Sequence, residues 1–238
     1  MKTIRSLALA AALAALAAPL SAQDPKSPSV FPRSAIAGIA LHFGSPQGEF
    51  ANNVDAAFGA NGFFGWRLGR SPLAIRGDMA ASIYGSETRR VPLGSGPLGL
   101  INVDVNTTNS IFAGGIGMQA GLPGAGVQPY LGGSVGFSYF FTTSSVSGSS
   151  QTSSNNFASS TNLSDGTFAK TLYAGFYIPV GKSGGQVDLG ARYHWNGEAL
   201  YLTDGDISFD SGNNPVLSPR RSRADLLTIQ AGFAFRRR

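Results

Sequence analysis

The C-terminal segment of the chain alternates between apolar and small or polar side chains, and this period of two restricts the possible folds more than any other feature. Side chains of a β-strand alternate between its two faces. The segment from Ala224 to Phe235 therefore predicts a strand with one apolar face and one small, polar face. The apolar side chains are Leu227, Ile229, Ala231, Phe233 and Phe235.

The same period recurs in seven earlier segments, which predicts eight strands in all. The segments cover approximately residues 35–44, 57–68, 73–84, 110–122, 127–141, 168–180 and 186–196. Each is close to or longer than the roughly 9–11 residues that a tilted strand needs to cross a membrane. We therefore predict an all-β chain.

The connections between these segments alternate in length. Glycine and proline form tight turns at 69–72, 123–126 and 181–185, and long polar loops separate the other strands at 45–56, 85–109, 142–167 and 197–223. Short turns on one rim and long loops on the other are typical of an antiparallel up-and-down transmembrane barrel. An even number of strands closes such a sheet without free edges. Residues 142–162 are rich in Ser, Thr, Gly and Asn, so we expect them to be mobile.

The faces opposite the apolar ones carry charged and small side chains, which favours lipid outside the barrel and water within it. An inverted soluble barrel, with its aromatic side chains inside, also satisfies the alternation. The N-terminus and the asymmetry of the loops argue against that alternative. The charged inner-face side chains are Arg67, Arg76, Asp78, Asp188, Arg192 and His194.

The N-terminus has the pattern of an export signal. Lys2 and Arg5 precede an Ala/Leu run that ends near Leu20-Ser-Ala22. The run is about 14 residues long, shorter than the roughly 20 of a spanning helix, so a cleaved signal peptide at 1–22 is favoured over a retained anchor. For the rest of the chain we predict a flexible tail at 23–34, a barrel at 35–235 and a basic C-terminal tail at 236–238.

Composition excludes several kinds of site. The chain has no cysteine, which excludes disulfides and thiolate metal ligands. Its net charge of +5 is too small, and its arginines too clustered, to indicate nucleic-acid binding. Asp204, Asp206 and Asp210 lack the full spacing of a calcium loop and its final Glu. We expect neither a metal nor a cofactor.

Two stretches, 128–136 (QPYLGGSVG) and 188–194 (DLGARYH), resemble strands of the opacity-protein and OmpA-type small outer-membrane β-barrels. The resemblance covers essentially residues 35–235 and implies an exported eight-stranded barrel in the outer membrane. It also implies a terminal aromatic residue that the barrel-assembly machinery reads. Here Arg236, Arg237 and Arg238 follow Phe235, which departs from the family pattern.

The interior of an eight-stranded barrel is just wide enough for side chains to fill it. Because the third and seventh strands lie on opposite sides of such a ring, we expect Arg76, Asp78, Asp188 and Arg192 to form an ion-pair cluster across the lumen. That cluster would leave no continuous water path. The alternative is that lumen water hydrates each charge separately.

Outward aromatic side chains should form girdles at the two membrane interfaces. The alternative is lipid-facing bulk with no banding by height. The predicted girdle residues are Trp66, Tyr139, Phe141, Trp195, Phe233 and Phe235.

Arginines in the long loops could bind lipopolysaccharide phosphates in bidentate fashion. Ordinary solvated loop charges are the alternative. These residues are Arg89, Arg90, Arg220, Arg221 and Arg223.

No residue set predicts catalysis. His194-Trp-Asn196 is superficially similar to the His-x-Ser arrangement of lipid A deacylase barrels, but position 196 is Asn and no nucleophile stands there. We expect no enzyme, but a structural or surface-interaction role in envelope integrity, adhesion or loop-mediated binding of an extracellular ligand. A narrow channel or a laterally opening carrier for small apolar solutes is the alternative, and a lipid A-modifying enzyme is less favoured.

Overall fold

The computed structural model describes residues 35–69, 71–92, 102–122, 126–148, 156–181, 184–209 and 215–237. These residues form twelve strands and one 3-10 turn, Phe50–Asn52. The strands are β1 (Ala35–Pro46), β2 (Ala57–Arg67), β3 (Leu73–Pro92), β4 (Asn102–Gly121), β5 (Gln128–Gly148), β6 (Asn156–Val180), β7 (Gly185–Asn196), β8 (Glu198–Tyr201), β9 (Ile207–Phe209), β10 (Pro215–Leu217), β11 (Arg220–Arg223) and β12 (Leu226–Arg237).

Eight of these strands close into a barrel, in the order β1-β12-β7-β6-β5-β4-β3-β2. All neighbours are antiparallel, and β1 closes the ring on β12, from Ala35 opposite Arg237 to Pro46 opposite Leu226. The prediction of an eight-stranded up-and-down barrel is confirmed. Two small hairpins, β8 with β11 and β9 with β10, lie in the last long connection.

The two faces of the barrel carry the side chains that the alternation predicted. Apolar side chains point outward and are largely exposed, for example Ile39 at 63%, Ile116 at 68% and Phe235 at 64%. The charged side chains of Arg76 and Asp188 point inward and are buried, at 1% and 0% exposure. The inverted soluble barrel is therefore wrong. An exposed apolar wall around a polar interior is the arrangement of a membrane-spanning barrel.

Among the described residues, no helix has the length and apolar character needed to cross a membrane.

The second and third predicted loops are largely strand, which corrects the sequence analysis. Strands β3 and β4 pair as far as Pro92 and Asn102, and β5 and β6 pair beyond Ser144. Residues 142–148 and 156–162, predicted to be mobile, lie in this ladder. Ladder hydrogen bonds need only the backbone, so polar side chains that face water on both sides do not prevent pairing. These two hairpins extend the barrel wall beyond its apolar belt.

The predicted basic tail also needs correction, because β12 continues through Arg237. In this strand Arg236 pairs with Ile36 of β1, and Arg237 pairs with Ala35. Predicted features at 1–22 and 23–34, and residue Arg238, lie outside the described residues.

Two inward glycines allow adjacent strands to approach closely. A Cβ at Gly117 would collide with the carbonyl oxygen of Gly133, and one at Gly136 with that of Gly114. Gly77, on the outward face, has open space where its Cβ would lie. The inner wall between β4 and β5 therefore requires glycine for steric reasons.

Candidate functional site

The turn-side half of the lumen is organised around the guanidinium of Arg76. Its Nε donates to Oδ1 of Asp78 at 2.9 Å, and its Nη1 donates to Oε1 of Gln119 at 2.6 Å. The Nη2 atom lies 2.9 Å from the same Asp78 oxygen. Burying this charge is tolerable only because it is paired and hydrogen-bonded.

The network continues across the lumen to β7. Nη2 of Arg192 donates to Oδ1 of Asp78 at 2.9 Å, and its Nε donates to Oε1 of Gln230 at 2.7 Å. The amide of Gln230 in turn donates to Asp188 at 2.8 Å, and Tyr130 donates to the other oxygen of Asp188 at 2.7 Å. The four predicted residues therefore share one network. Gln230 links Asp188 to the other three, and Asp188 makes no direct ion pair with any residue that the structure describes.

Aromatic rings that were not predicted from the sequence complete this layer. The guanidinium carbon of Arg76 lies 3.7 Å from the ring centroid of Phe63 and 4.6 Å from that of Tyr173. Tyr130 and Tyr177 stack at 4.4 Å between centroids. Such cation–π contacts stabilise a desolvated guanidinium. These tyrosines occupy inward positions in the alternating pattern, and that is the feature of the sequence that could have identified them.

Above this layer lies a small cavity, lined by both polar and apolar side chains, that contains a Ser–His–Asn arrangement. Nε2 of His42 lies 2.7 Å from Oγ of Ser82, and its Nδ1 lies 3.3 Å from Oδ1 of Asn61. The cavity has a volume of about 20 Å³. That is room for one or two waters and not for an organic substrate. The three residues resemble a nucleophile, a base and its orienting group, and they lie beside a cavity of this small volume.

The predicted His194 and Asn196 also face this cavity. Nδ1 of His194 lies 3.0 Å from the hydroxyl of Thr171. The side chain of Asn196 accepts a hydrogen bond from Ser138 at 2.7 Å and donates to the carbonyl of Ala224 at 2.6 Å. Both residues therefore have structural partners.

An aromatic cap closes the lumen on the loop side. It consists of Phe50, Tyr84, Phe140 and Tyr201, and the Phe50 ring, on the 3-10 turn, is fully buried. Its centroid lies 5.1 Å from that of Tyr201 and 5.7 Å from that of Tyr84, in edge-to-face geometry. The amide of Asn53 donates to the Tyr201 hydroxyl at 3.1 Å and ties the same connection to the cap. The connection at 45–56, predicted as a polar loop, thus supplies the centre of an apolar cluster.

Three of the five arginines proposed for lipopolysaccharide make ion pairs within the chain. The shortest N–O distances are 2.6 Å from Arg89 to Glu87, 2.8 Å from Arg90 to Asp104 and 2.9 Å from Arg220 to Asp206. Arg221 and Arg223 are exposed, and their guanidinium groups make no ion pair with any described residue. These two keep their charge available for an outside anion.

The Asp206–Arg220 pair has a distinct electrostatic character. Burial raises the pKa of Asp206, but hydrogen bonds from Arg220 and Thr203 outweigh it and hold that pKa below its usual range. Neighbouring Asp204 has a raised pKa because of burial and the charges of Glu87 and Asp206. The Asp206 carboxylate is thus occupied by a guanidinium, and no group of three or more potential ligands for a metal occurs in the described part of the chain. Asp210 lies outside that part.

The predicted girdle residues lie at the two ends of the barrel wall. Trp66, Phe233 and Phe235 are outward and exposed near the short-turn rim, where Trp66 pairs with Ala35. Near the loop-side rim Tyr139 and Phe141 stack at 5.9 Å on β5, and Trp195 lies 4.5 Å from Tyr193 on β7. Phe141 is only partly exposed.

Several solved structures resemble the chain. One is Neisserial surface protein A, with 11% sequence identity and a TM-score of 0.45 over 85% of this chain and 96% of that chain. Another is a major outer membrane protein from Thermus thermophilus, with 10% identity and a TM-score of 0.48 over 86% of this chain and 99% of that chain. A third is the N-terminal β-barrel domain of Pseudomonas aeruginosa OprF, with 11% identity and a TM-score of 0.33 over 86% of this chain and 96% of that chain. These neighbours are small outer-membrane β-barrels, the class that the sequence resembles. No protein-family model matches the chain, and no curated protein matches it in sequence.

Proposed function

We propose that the chain is a non-conducting outer-membrane barrel with a structural and surface-interaction role in the cell envelope. The observation that carries this proposal is that side chains fill the lumen at two separate levels. The Arg76 network occupies the turn-side half, and the aromatic cap around Phe50 occupies the loop side. On this proposal the protein is exported through a cleaved signal peptide and inserted by the barrel-assembly machinery.

The turn-side level would resist the passage of solutes for an energetic reason. A water path through it requires separating Asp78 from two guanidinium groups that it binds at 2.9 Å. Breaking such a buried pair leaves an uncompensated charge and costs about 3–5 kcal/mol. The rings of Phe63 and Tyr173 that contact the Arg76 guanidinium would also have to move away from it.

The projecting hairpins support a role at the surface. Strands β3 to β6 continue beyond the apolar belt and present mainly Ser, Thr and Asn side chains to water. Surface segments held by a rigid scaffold are common binding elements. We propose that these hairpins contact an extracellular ligand and that Arg221 and Arg223 contact lipopolysaccharide phosphates.

Two other functions have less support. A laterally opening carrier needs a weak seam, but neighbouring strands of the barrel are paired around the whole ring. An enzyme needs access to its nucleophile, and the Ser82–His42 pair lies in a cavity of about 20 Å³. The proposal therefore includes neither transport of apolar solutes nor modification of lipid A.

Single-channel recording in planar bilayers tests the proposal. The refolded wild-type barrel should insert without steady conductance, and a Phe50→Ala/Asp78→Ala double variant should conduct, because it loses side chains at both levels. Folding of each inserted protein must be verified independently by its heat-dependent gel shift in the same lipid. Steady conductance from the inserted wild type would overturn the proposal in favour of a channel.

A further inference from the structure

The lipid-facing wall of the barrel contains a charged residue at an unexpected place. Lys170 lies on β6 between Phe168 and Leu172 on the outward face, and its side chain is exposed. Those two neighbours are exposed at 58% and 49%, as lipid-facing residues should be. Between the two groups of girdle residues, no other described strand position on this outward face carries a charge.

A lysine on such a face restricts where the membrane boundary can lie. A charged side chain at the bilayer midplane costs about 2–4 kcal/mol, and the cost falls to about 0–1 kcal/mol near the interface. Lys170 pairs directly with Trp195, a loop-side girdle residue. Its flexible stem can carry the ammonium to the headgroup level while its methylenes stay in the apolar region.

The surroundings of Lys170 are suited to an anionic headgroup. Trp195 packs against Tyr193 at 4.5 Å, and both rings lie on the neighbouring strand β7. Arg223 pairs with Glu198, two residues beyond the end of β7 at Asn196, which places Arg223 on the loop side of this ring pair. Glu198 lies opposite Arg223 in the β8–β11 hairpin but makes no ion pair with it. Two cations without ion-pair partners among the described residues therefore flank an amphipathic ring pair.

We propose that Lys170, Trp195 and Arg223 bind the phosphate of an outer-leaflet lipid on the β6–β7 wall. Lys170 approaches the phosphate from the hydrocarbon side and Arg223 from the aqueous side. Phe168 and Leu172 supply the adjoining surface for an acyl chain. The inference rests on the proposed membrane insertion and deepens it, because it names the lipid group and the side of the barrel that hold it.

Fluorescence of a single tryptophan provides a direct test. The chain has two tryptophans, so a Trp66→Phe variant reports on Trp195 alone. The refolded barrel in detergent micelles is titrated with lipid A carrying two phosphates, with the monophosphorylated form and with phosphatidylcholine. We expect saturable binding that is strongest for two phosphates and is weakened about tenfold by Lys170→Gln, since one charge-assisted contact is lost.

Two variants make the result specific. Lys170→Arg should restore binding, and Arg90→Gln, which removes one positive charge elsewhere on the loop side, should leave it unchanged. Equal affinity of wild type and Lys170→Gln, or equal affinity for phosphatidylcholine, would overturn the inference. Each variant is first checked for a heat-dependent gel shift, so loss of lipid binding by a correctly folded barrel is distinguishable from failure of the membrane-barrel proposal.

Discussion

Asp78→Asn should destabilise the barrel more than any other single isosteric change in the lumen. One oxygen of Asp78 binds both Arg76 and Arg192, each at 2.9 Å, and the side chain is 8% exposed. The amide keeps the size and one acceptor but removes the charge opposite two buried guanidinium groups. Breaking a buried pair in this way costs about 3–5 kcal/mol.

Asp188→Asn provides the matched comparison. Asp188 is still more buried, at 0% exposure, but among the described residues it accepts hydrogen bonds only from the neutral donors Tyr130 and Gln230. Hydrogen bonds to a charged group contribute about 1.5–3 kcal/mol, and an amide oxygen can still accept, so the loss should be smaller than for Asp78. Asp104→Asn, in an exposed pair with Arg90, should have no measurable effect.

The free energy of unfolding is measured by urea titration of the three variants refolded in vesicles, with the folded fraction read from gel mobility. The predicted order of destabilisation is Asp78, then Asp188, then Asp104. A loss below about 1 kcal/mol at Asp78, or a larger loss at Asp188, would refute the assignment of Asp78 as the shared acceptor.

Three further predictions concern the cap, the wall and the loop-side rim. Phe50→Ala removes a fully buried ring at a cost of about 3–5 kcal/mol, so protease cleavage within 47–56 should accelerate at least about a hundredfold; an unchanged rate would contradict the cap. Gly136→Ala should prevent refolding because its Cβ meets the opposite backbone, whereas Gly77→Ala should refold normally; normal refolding of both, assayed by gel shift, would remove the steric argument. The pKa of Asp206 is lowered in the folded state, so ionised Asp206 stabilises the folded loop-side rim at pH values above its unfolded pKa of about 3.9, and this stabilisation is lost as the pH falls through the folded pKa. Arg220→Gln should remove most of this pH dependence, which is measured by hydrogen exchange of the loop-side residues during an acid titration.

The barrel itself was predictable because its outer face has a strong period of two. Residues such as Ile39 and Phe235 point outward as the alternation required. The same period assigned Arg76, Asp78 and Arg192 to one lumen, since inward side chains of a narrow barrel must meet.

The details that sequence reasoning missed depend on three-dimensional position. Gln230 bridges Arg192 and Asp188, but a glutamine on an inward face gives no indication of its partner. Phe50 lies in a stretch without a period, so its burial in the cap follows only from how the first long connection folds back over the barrel. The extension of β3 to β6 was missed because Ser- and Thr-rich hairpins lack an apolar face.

Whether the protein is a closed, membrane-spanning barrel can be decided by the gel mobility of boiled and unboiled protein from an outer-membrane fraction. A closed barrel resists unfolding by detergent until it is heated, so protein found in that fraction should shift in mobility on boiling. Protein recovered from the soluble periplasm, with the same mobility before and after boiling, would contradict it.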